Sequence, residues 1–301
     1  MNKLSTLKTE TRNPNTTNMD NMSTRELVHT INSEDMDVAK KVQAVLPSVE
    51  TAVDITYNAL RQGGRLFYVG AGTSGRIGIL DAVECPPTFS TPPDMVQAVM
   101  AGGENAFKKA VEGAEDNLYL GEDDLKKRHL TNLDVVIGIA ASGTTPYVLG
   151  AMKYARNLGA KTISLTSNEH SDISKYADVK IEVVTGAEVL TGSTRMKAAT
   201  AHKMILNMIT TASMVKVGKV YENLMVDLKV SNNKLKERAR GIVSSITGVP
   251  KNQATTVLEL TDYEVKPAIV MVKANVDKEA AEEFLDQSKG FVRKAIQIAR
   301  K

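Results

Sequence analysis

The feature that most constrains the fold is an alternation of short apolar runs with helical segments between Gly64 and Tyr221. The apolar runs lie at Arg65–Val69, Met95–Met100, Leu133–Ala140, Thr162–Thr166 and Val179–Val184. The helical segments lie at Ser74–Glu84, Glu104–Glu112, Pro146–Leu158, Ser171–Tyr176 (a weak one) and Thr194–Lys216. Nearly continuous apolar strands separated by helices are typical of a parallel sheet covered by helices on both faces. The pattern therefore predicts an α/β fold.

The regions on either side of this alternation are interpreted as helical. Ser23-Thr24-Arg25-Glu26 has the pattern of a capping box that opens a short helix. Apolar residues then recur at helical spacing from Asp35 to about Gln62. Further short helices are predicted at Asn233–Ile246, Asn252–Leu260, Val265–Val272 and Lys278–Ala299, with Ala268–Val272 open to a second interpretation as a buried strand. The predicted boundaries are 1–55 for an N-terminal arm with helices, 56–222 for the α/β domain and 223–301 for a C-terminal helical domain.

Composition excludes several classes of function. The net charge of +3 in 301 residues is too small to indicate nucleic-acid binding. The single cysteine, Cys85, excludes an internal disulfide or a cysteine zinc cluster, and the absence of Trp argues against an aromatic stacking platform. The four histidines, His29, His129, His170 and His202, have no ligand spacing, so we expect no metal and no cofactor. No apolar stretch reaches the roughly 18 residues that span a bilayer, so we expect no membrane association and a cytoplasmic location.

The first loop of the predicted sheet carries a glycine-rich turn. Gly70-Ala71-Gly72-Thr73-Ser74-Gly75 follows a strand and opens a helix, and it matches G-x-G-x-x-G. A dinucleotide site would also need an acidic residue at the end of the second strand, but Glu104 comes only after Gly102-Gly103. Thr73 and Ser74 instead place two hydroxyls at a helix N-terminus, which suits a single phosphate. Helix capping alone would also explain them.

Two further loops repeat this chemistry. Ser142, Gly143, Thr144 and Thr145 follow the third strand, and Thr145 with Pro146 fits the first positions of a helix. The segment Glu188–Lys197 follows the last strand with Ser193, Thr194 and two cations, Arg195 and Lys197. Loops at the carboxyl ends of parallel strands meet at one edge of the sheet, where ligands bind. The three loops therefore predict a site for a phosphorylated small molecule, held mainly by neutral hydroxyls and backbone N–H groups.

Long segments of the chain resemble the N-acetylmuramic acid 6-phosphate etherase family. These segments are GAGTSGRIGILDAVECPPTF (70–89), ASGTTPYV (141–148) and EVLTGSTRMKAATAHK (188–203), and Thr9–Pro14 is similar to the family's opening motif. The resemblance implies a three-layer, parallel-sheet sugar isomerase (SIS) domain with an N-terminal helical extension and a small C-terminal helical domain like a ubiquitin-associated (UBA) unit. It also implies a homodimer with shared active sites and a role in cell-wall amino-sugar recycling.

The reaction implied by the resemblance is cleavage of the lactyl ether of a phosphosugar with water, which gives N-acetylglucosamine 6-phosphate and D-lactate. This is a carbon–oxygen lyase reaction of the hydro-lyase type. The family's proton donor matches Glu84, and its second catalytic glutamate matches Glu115. Elimination β to a carbonyl needs a base at C2 and an acid at the ether oxygen, and two carboxyl groups with different pKa values can supply both without a metal. We assign Glu84 as the acid, and Glu115 as the base that also activates water.

The predicted substrate-binding residues are those of the three loops: Thr73, Ser74, Ser142, Gly143, Thr144, Thr145, Glu188, Ser193 and Thr194. On one straight helix Ser74 and Glu84 would lie about 15 Å apart along the axis. Glu84 must therefore either reach a neighbouring subunit's site or lie beyond a bend, and Pro86-Pro87 is expected to end the helix just after it. Two alternatives to the etherase stay open: a non-catalytic sugar-phosphate-binding regulator, as in the related glucokinase regulatory protein, and an aldose–ketose isomerase.

Overall fold

The computed structural model describes residues 7–109, 111–228, 230 and 232–300. The chain divides into two compact units. The first, here called the sheet unit, comprises Met1–Ala82 and Asp94–Thr210, and the second, the C-terminal unit, comprises Val83–Pro93 and Thr211–Lys301. The predicted domain boundaries stay a prediction, and residues 1–6 of the predicted arm lie outside the described residues.

The sheet unit is built on five parallel strands in the order β2-β1-β3-β4-β5. The strands are β1 (Leu66–Gly70), β2 (Val96–Met100), β3 (Val135–Ile139), β4 (Lys161–Thr166) and β5 (Val179–Glu182). All residues of β1 and β3 are buried, as expected for central strands covered on both faces. The predicted α/β fold with a parallel sheet is therefore confirmed. Because β1 has β2 on one side and β3 on the other, the strand order reverses beside β1, which is where open α/β sheets bind ligands.

The helices of the sheet unit follow the predicted alternation, with differences at Val45, over Leu118–Lys127 and at Pro86-Pro87. Their bounds are α1 (Thr24–Asp35), α2 (Val38–Ala44), α3 (Leu46–Arg61), α4 (Gly72–Phe89, which continues into the C-terminal unit), α5 (Asn105–Lys108), α6 (Leu118–Lys127), α7 (Pro146–Leu158) and α8 (Lys197–Lys216, which also continues). The single helix predicted between Asp35 and Gln62 is interrupted at Val45, because Pro47 fits only the first turn of a helix. Helix α6 has no counterpart among the predicted elements.

Helices α6 and α7 lie unusually close together. A Cβ atom on Gly121 would come 2.1 Å from the carbonyl oxygen of Tyr147, and one on Gly150 would come 1.8 Å from that of Leu118. Only glycine fits at either position, so the two backbones pack directly against each other. Sequence periodicity gave little indication of α6 because acidic and basic residues dominate its sequence, LYLGEDDLKK.

Helix α4 does not end at Pro86-Pro87 as the sequence predicted. It includes both prolines and ends at Phe89. A proline inside a helix removes a backbone hydrogen bond and crowds the preceding turn. Burial of Cys85 and Phe89 stabilises this last turn, and the backbone N–H of Ser90 closes it by donating to the carbonyl of Pro86 (3.0 Å). Tertiary packing therefore overrides the local signal.

The C-terminal unit is mainly helical, as predicted. Its helices are α9 (Asn233–Thr247), α10 (Lys251–Leu260), α11 (Val265–Ala274), α12 (Lys278–Gln287) and α13 (Val292–Ala299). The ambiguous run Ala268–Val272 belongs to helix α11 and contributes to the buried core of this unit. A short antiparallel pair, β6 (Val220–Tyr221) with β7 (Leu224–Met225), was not predicted. In the described part of the chain, no helix is both long and apolar enough to cross a membrane.

Candidate functional site

A cavity of about 550 Å³ lies at the carboxyl ends of β1 and β3, within the sheet unit. It is lined by residues of all three predicted loops: Thr73 and Ser74 from the first, Ser142, Thr144 and Thr145 from the second, and Gly192 and Thr194 from the third. Glu10, Glu115 and Asp116 also line it. Segments more than 100 residues apart in the chain therefore converge on one space, which we call the main cavity.

Two hydroxyl groups of the second loop, those of Thr145 and Ser142, are available to a ligand. Thr145 occupies the position before the first turn of α7, yet its side chain makes no capping hydrogen bond. Ser142 Oγ accepts hydrogen bonds from the backbone N–H and the hydroxyl of Thr144, both at 3.2 Å, and its own proton can still be donated. Helices α4 and α7 both begin here, so their first N–H groups and positive dipole ends favour an anion.

The glycines of the first loop allow its tight turn and the close packing of strand β1 against helix α4. Gly72 has φ +53°, a conformation that favours glycine, and it begins helix α4. A Cβ atom on Gly70 would lie 2.6 Å from the backbone nitrogen of Gly75, and one on Gly75 would lie 2.6 Å from Cγ of Met100. The match to G-x-G-x-x-G is thus explained by close packing of strand and helix.

Glu115 reaches the main cavity from a loop that is fixed by α7. Its carbonyl oxygen accepts a hydrogen bond from the backbone N–H of Tyr147 (3.0 Å), one of the N–H groups that the first helical turn leaves free. Tyr147 is itself buried, and its hydroxyl donates to Asp124 of α6 (2.9 Å). Burial and the negative charge of Asp124 both raise the pKa of Tyr147, so it stays a donor. The glutamate therefore lies beside the second hydroxyl loop, with an exposed side chain.

Three predicted substrate-binding residues do not line the main cavity: Gly143, Glu188 and Ser193. Gly143 has φ +72°, and a Cβ atom there would lie 2.2 Å from Cβ of Ser171, so packing requires the glycine. Glu188 is fully buried, and its two carboxylate oxygens accept the backbone N–H groups of Lys197 and Ala198 at the start of α8 (2.9 and 3.0 Å). Burial raises the pKa of Glu188, while these hydrogen bonds oppose the rise. Contact of these three residues with a ligand stays a prediction.

The two cations of the third loop differ in their surroundings. Lys197 is buried, and its Nζ lies 2.7 Å from Oε2 of Glu34 on α1. Burial alone would raise the pKa of Glu34, but hydrogen bonds from Lys197 and Asn15 lower it. The charge of Lys197 is therefore neutralised within the protein. Arg195 is exposed and does not line the cavity.

Glu84 is exposed on α4 and is not among the residues that line the main cavity. The helix runs without interruption from Gly72 through Glu84, so the predicted separation of about 15 Å from Ser74 applies. The two prolines follow Glu84 along the chain, so no bend at Pro86-Pro87 shortens this separation. Supply of Glu84 to a second subunit's cavity stays a prediction.

The sequence motif Thr9–Pro14 places a carboxylate in the cavity that sequence reasoning did not single out. Glu10 lines the cavity, and its Oε2 lies 3.1 Å from the position that a Cβ atom on Gly192 would occupy. Asn168, which follows β4, holds this arm: its Oδ1 accepts from the N–H of Lys8 (2.6 Å) and its Nδ2 donates to Thr9 Oγ1 (3.2 Å). The only signal for Glu10 was its place in a motif similar to the family's opening motif.

Within the described residues, no group of three or more His, Cys, Asp or Glu side chains is arranged to hold a metal ion. His202 on α8 is fully buried, and its Nε2 lies 3.0 Å from Ser167 Oγ. Burial lowers the pKa of His202 to about 4, so the imidazole is neutral at physiological pH.

Comparison with known families identifies the class of protein. Residues 37–156 match the N-terminal SIS domain of glucokinase regulatory protein, residues 117–212 match the SIS domain, and residues 222–279 match the C-terminal lid domain of glucokinase regulatory protein. A phosphoheptose isomerase from Francisella tularensis has a similar fold, with a TM-score of 0.52 and 18% identity, covering 64% of this chain and 98% of that one. Fold and cavity therefore define a SIS-domain protein with a C-terminal helical lid.

Relatives at higher identity specify the family. The chain is 57% identical to N-acetylmuramic acid 6-phosphate etherase 1 of Bacillus licheniformis, covering 99% of this chain and 98% of the relative. It is also 57% identical to N-acetylmuramic acid 6-phosphate etherase of Bacillus subtilis, covering 97% of this chain and 96% of the relative. The chain belongs to the N-acetylmuramic acid 6-phosphate etherase family.

Proposed function

We propose that the protein is a carbon–oxygen lyase that cleaves the D-lactyl ether of N-acetylmuramic acid 6-phosphate with water. The products are N-acetylglucosamine 6-phosphate and D-lactate, and the role is recycling of cell-wall amino sugars. The observation that carries this proposal is the convergence of three hydroxyl-bearing loops and Glu115 on one cavity, in a chain 57% identical to etherases. A cytoplasmic location and a homodimer are parts of the same proposal.

The loops are assigned to the phosphate. Ser74, Ser142 and Thr145 offer hydroxyl donors, and the N-termini of α4 and α7 add backbone N–H groups and positive dipole ends. These neutral donors suit one phosphate monoester, since a triphosphate would need cations for its additional charge.

Glu115 is assigned to the proton chemistry at C2. The open-chain aldehyde at C1 acidifies the C2 proton, and Glu115 removes it as the ether bond at C3 breaks. Glu84 of a second copy donates a proton to the leaving lactate oxygen. Water then adds to C3 of the unsaturated aldehyde. Glu115 returns its proton to C2 and accepts a proton from the attacking water, and exchange with solvent then deprotonates Glu115 and reprotonates Glu84. Both carboxyl groups thus end the cycle in the protonation states in which they began it.

The direct test is incubation of the purified protein with N-acetylmuramic acid 6-phosphate and an assay for D-lactate. We expect release of one D-lactate for each N-acetylglucosamine 6-phosphate formed, and in H₂¹⁸O we expect the label at C3 of the sugar product. Unlabelled sugar with labelled lactate would contradict elimination, because it would mean that water attacked the lactyl carbon.

A non-catalytic regulator is the second candidate, favoured by the matches to the SIS and lid domains of glucokinase regulatory protein. It predicts tight binding of a sugar phosphate without any D-lactate. An isomerase would instead interconvert aldose and ketose phosphates and leave the lactyl ether intact.

A further inference from the structure

A second, smaller cavity of about 140 Å³ adjoins the main cavity within the sheet unit. The two share Ala71, Gly72 and Glu115 as lining residues. The smaller one, here called the side pocket, is otherwise lined by the apolar side chains of Met100, Ala101, Ala106 and Val111, by Glu112 and Gly113, and by Arg76. Glu115 therefore lies where the two cavities meet, with the hydroxyl loops on one side and Arg76 on the other.

Arg76 is a fixed cation at this pocket. Its Nε donates to the carbonyl of Phe107 (3.1 Å) and its Nη2 donates to the carbonyl of Ala106 (2.9 Å). A guanidinium has five N–H donors, so these two bonds leave several for a ligand. None of the ion pairs among the described residues neutralises Arg76, in contrast to Lys197, which is paired with Glu34.

The position of Arg76 on α4 separates it from the phosphate donors. Arg76 follows Ser74 by two residues, which corresponds to about 200° around the helix axis. Ser74 lines the main cavity and Arg76 lines the side pocket. One helical turn thus presents a hydroxyl to one cavity and a positive charge to the other.

We propose that the side pocket binds the carboxylate of the D-lactyl group, with Arg76 as its partner; this rests on the proposed etherase function. The substrate carries two anionic groups, the phosphate at C6 and the lactyl carboxylate attached through C3. The hydroxyl loops take the first, and Arg76 takes the second, because a guanidinium matches a carboxylate in charge and in planar geometry. The apolar wall of Met100, Ala106 and Val111 receives the lactyl methyl group.

This arrangement accounts for the place of Glu115. With the phosphate in the main cavity and the lactyl group in the side pocket, the C2–C3 bond of the sugar lies at the junction of the two, where Glu115 is shared. Arg76 also offsets the repulsion that the lactyl carboxylate would meet from Glu112 and Glu115. Arg76 is therefore a specificity-determining residue that distinguishes a lactyl ether from other phosphosugars.

The test compares two substrates and three proteins. The substrates are N-acetylmuramic acid 6-phosphate and its analogue with the lactyl carboxylate converted to an N-methyl amide. For the wild-type protein we expect kcat/KM for D-lactyl release to be about 10- to 100-fold lower with the amide, the usual effect of losing a charged hydrogen-bond partner. For Arg76→Met we expect the acid to lose the same factor and the two substrates to become nearly equal.

Arg156→Met is the matched control. Arg156 also donates to a backbone carbonyl, that of Lys175 (3.2 Å), but it lines neither cavity, so discrimination between acid and amide should be retained. The affinity of Arg76→Met for N-acetylglucosamine 6-phosphate, which has no lactyl group, should equal that of the wild type.

The outcomes are distinguishable. Equal turnover of acid and amide by the wild-type protein overturns the carboxylate subsite while the etherase function stands, and this comparison needs no variant to fold. Unchanged discrimination in Arg76→Met also overturns it. No D-lactate from the natural substrate overturns the proposed function, and the subsite with it.

Discussion

At the scale of single residues, the site depends on polar groups that local structure leaves free. Thr145 stands where a capping residue is expected, yet it forms no capping bond. Glu188 shows the opposite case, because both its oxygens are occupied at the start of α8. Sequence reasoning grouped these two as substrate-binding residues, since both occur in loops at the ends of strands. Their hydrogen bonds distinguish the two residues, because the Thr145 hydroxyl makes no capping bond whereas both Glu188 oxygens accept backbone N–H groups.

Thr145→Val tests the free hydroxyl. Loss of a capping hydroxyl usually destabilises a protein by about 1 kcal/mol. Because Thr145 makes no such bond, we expect little change in Tm and a rise of about 5- to 10-fold in KM for the phosphorylated substrate, as for loss of one hydrogen bond. Thr200→Val, which removes an exposed hydroxyl of α8, is the control for KM. A lower Tm with unchanged KM would assign Thr145 a structural role.

At the scale of elements, a side chain that follows β4 helps to hold the N-terminal arm in place. Asn168 bonds Lys8 and Thr9 of the arm and also the carbonyl of Ala141 in the second loop (2.9 Å). Asn168 thereby connects the arm that carries Glu10 to a loop of the main cavity. Sequence similarity identified the arm, but its attachment joins residues about 160 positions apart.

Asn168→Ala should release the arm and withdraw Glu10 from the cavity. We expect faster proteolytic cleavage between residues 8 and 16 and a fall in kcat/KM similar to that of Glu10→Gln, because both changes remove the same carboxylate. The double variant should then show no further loss, since two changes that act through the same carboxylate are not additive. Additive losses would mean that Asn168 acts on the site independently of Glu10.

His202, on helix α8, makes the free energy of unfolding depend on pH. His202 has a pKa of about 4 in the folded protein because it is buried, whereas an unfolded histidine titrates near 6.5. Above about pH 6.5 both states are neutral and the folded protein has its full stability. As the pH falls from about 6.5 to 4, the unfolded state alone gains the proton, and stability falls by about 3 kcal/mol.

The contribution of His202 can be measured by denaturant unfolding of the wild-type protein and of His202→Gln between pH 8 and pH 4. We expect the variant to be less stable at pH 8, where the bond with Ser167 is lost, but to lose less stability on acidification. His29→Gln, at an exposed position, should follow the wild-type curve. A variant with the wild-type pH dependence would show that other groups cause it.

At the scale of the whole molecule, the two glutamates implied by the family resemblance have different places. Glu115 lines the main cavity, while Glu84 is exposed on α4 in the C-terminal unit. We therefore propose that a second copy of the chain supplies Glu84 to the main cavity. On this proposal the active sites are shared between the two subunits of a homodimer.

Mixing two inactive variants tests the shared site. Glu84→Gln and Glu115→Gln should each release D-lactate about 10²- to 10⁴-fold more slowly. After joint unfolding and refolding at equal concentrations, half of random dimers are mixed, and each mixed dimer has one intact site. About a quarter of wild-type activity should return. If both glutamates act within one chain, no mixed dimer has an intact site and activity stays absent.

The α/β class, the parallel strands and the three hydroxyl loops can be predicted from the sequence, because burial on both faces of a sheet and the turn chemistry at strand ends leave local, periodic patterns. The other features of the fold and the site depend on tertiary contacts. These contacts extend α4 through Pro86-Pro87 and pack α6 against α7. They also place the Glu188 carboxylate at the start of α8, and they bring Glu10 and Arg76 to the two cavities. These outcomes depend on contacts between residues far apart in the chain, and no local pattern records such contacts.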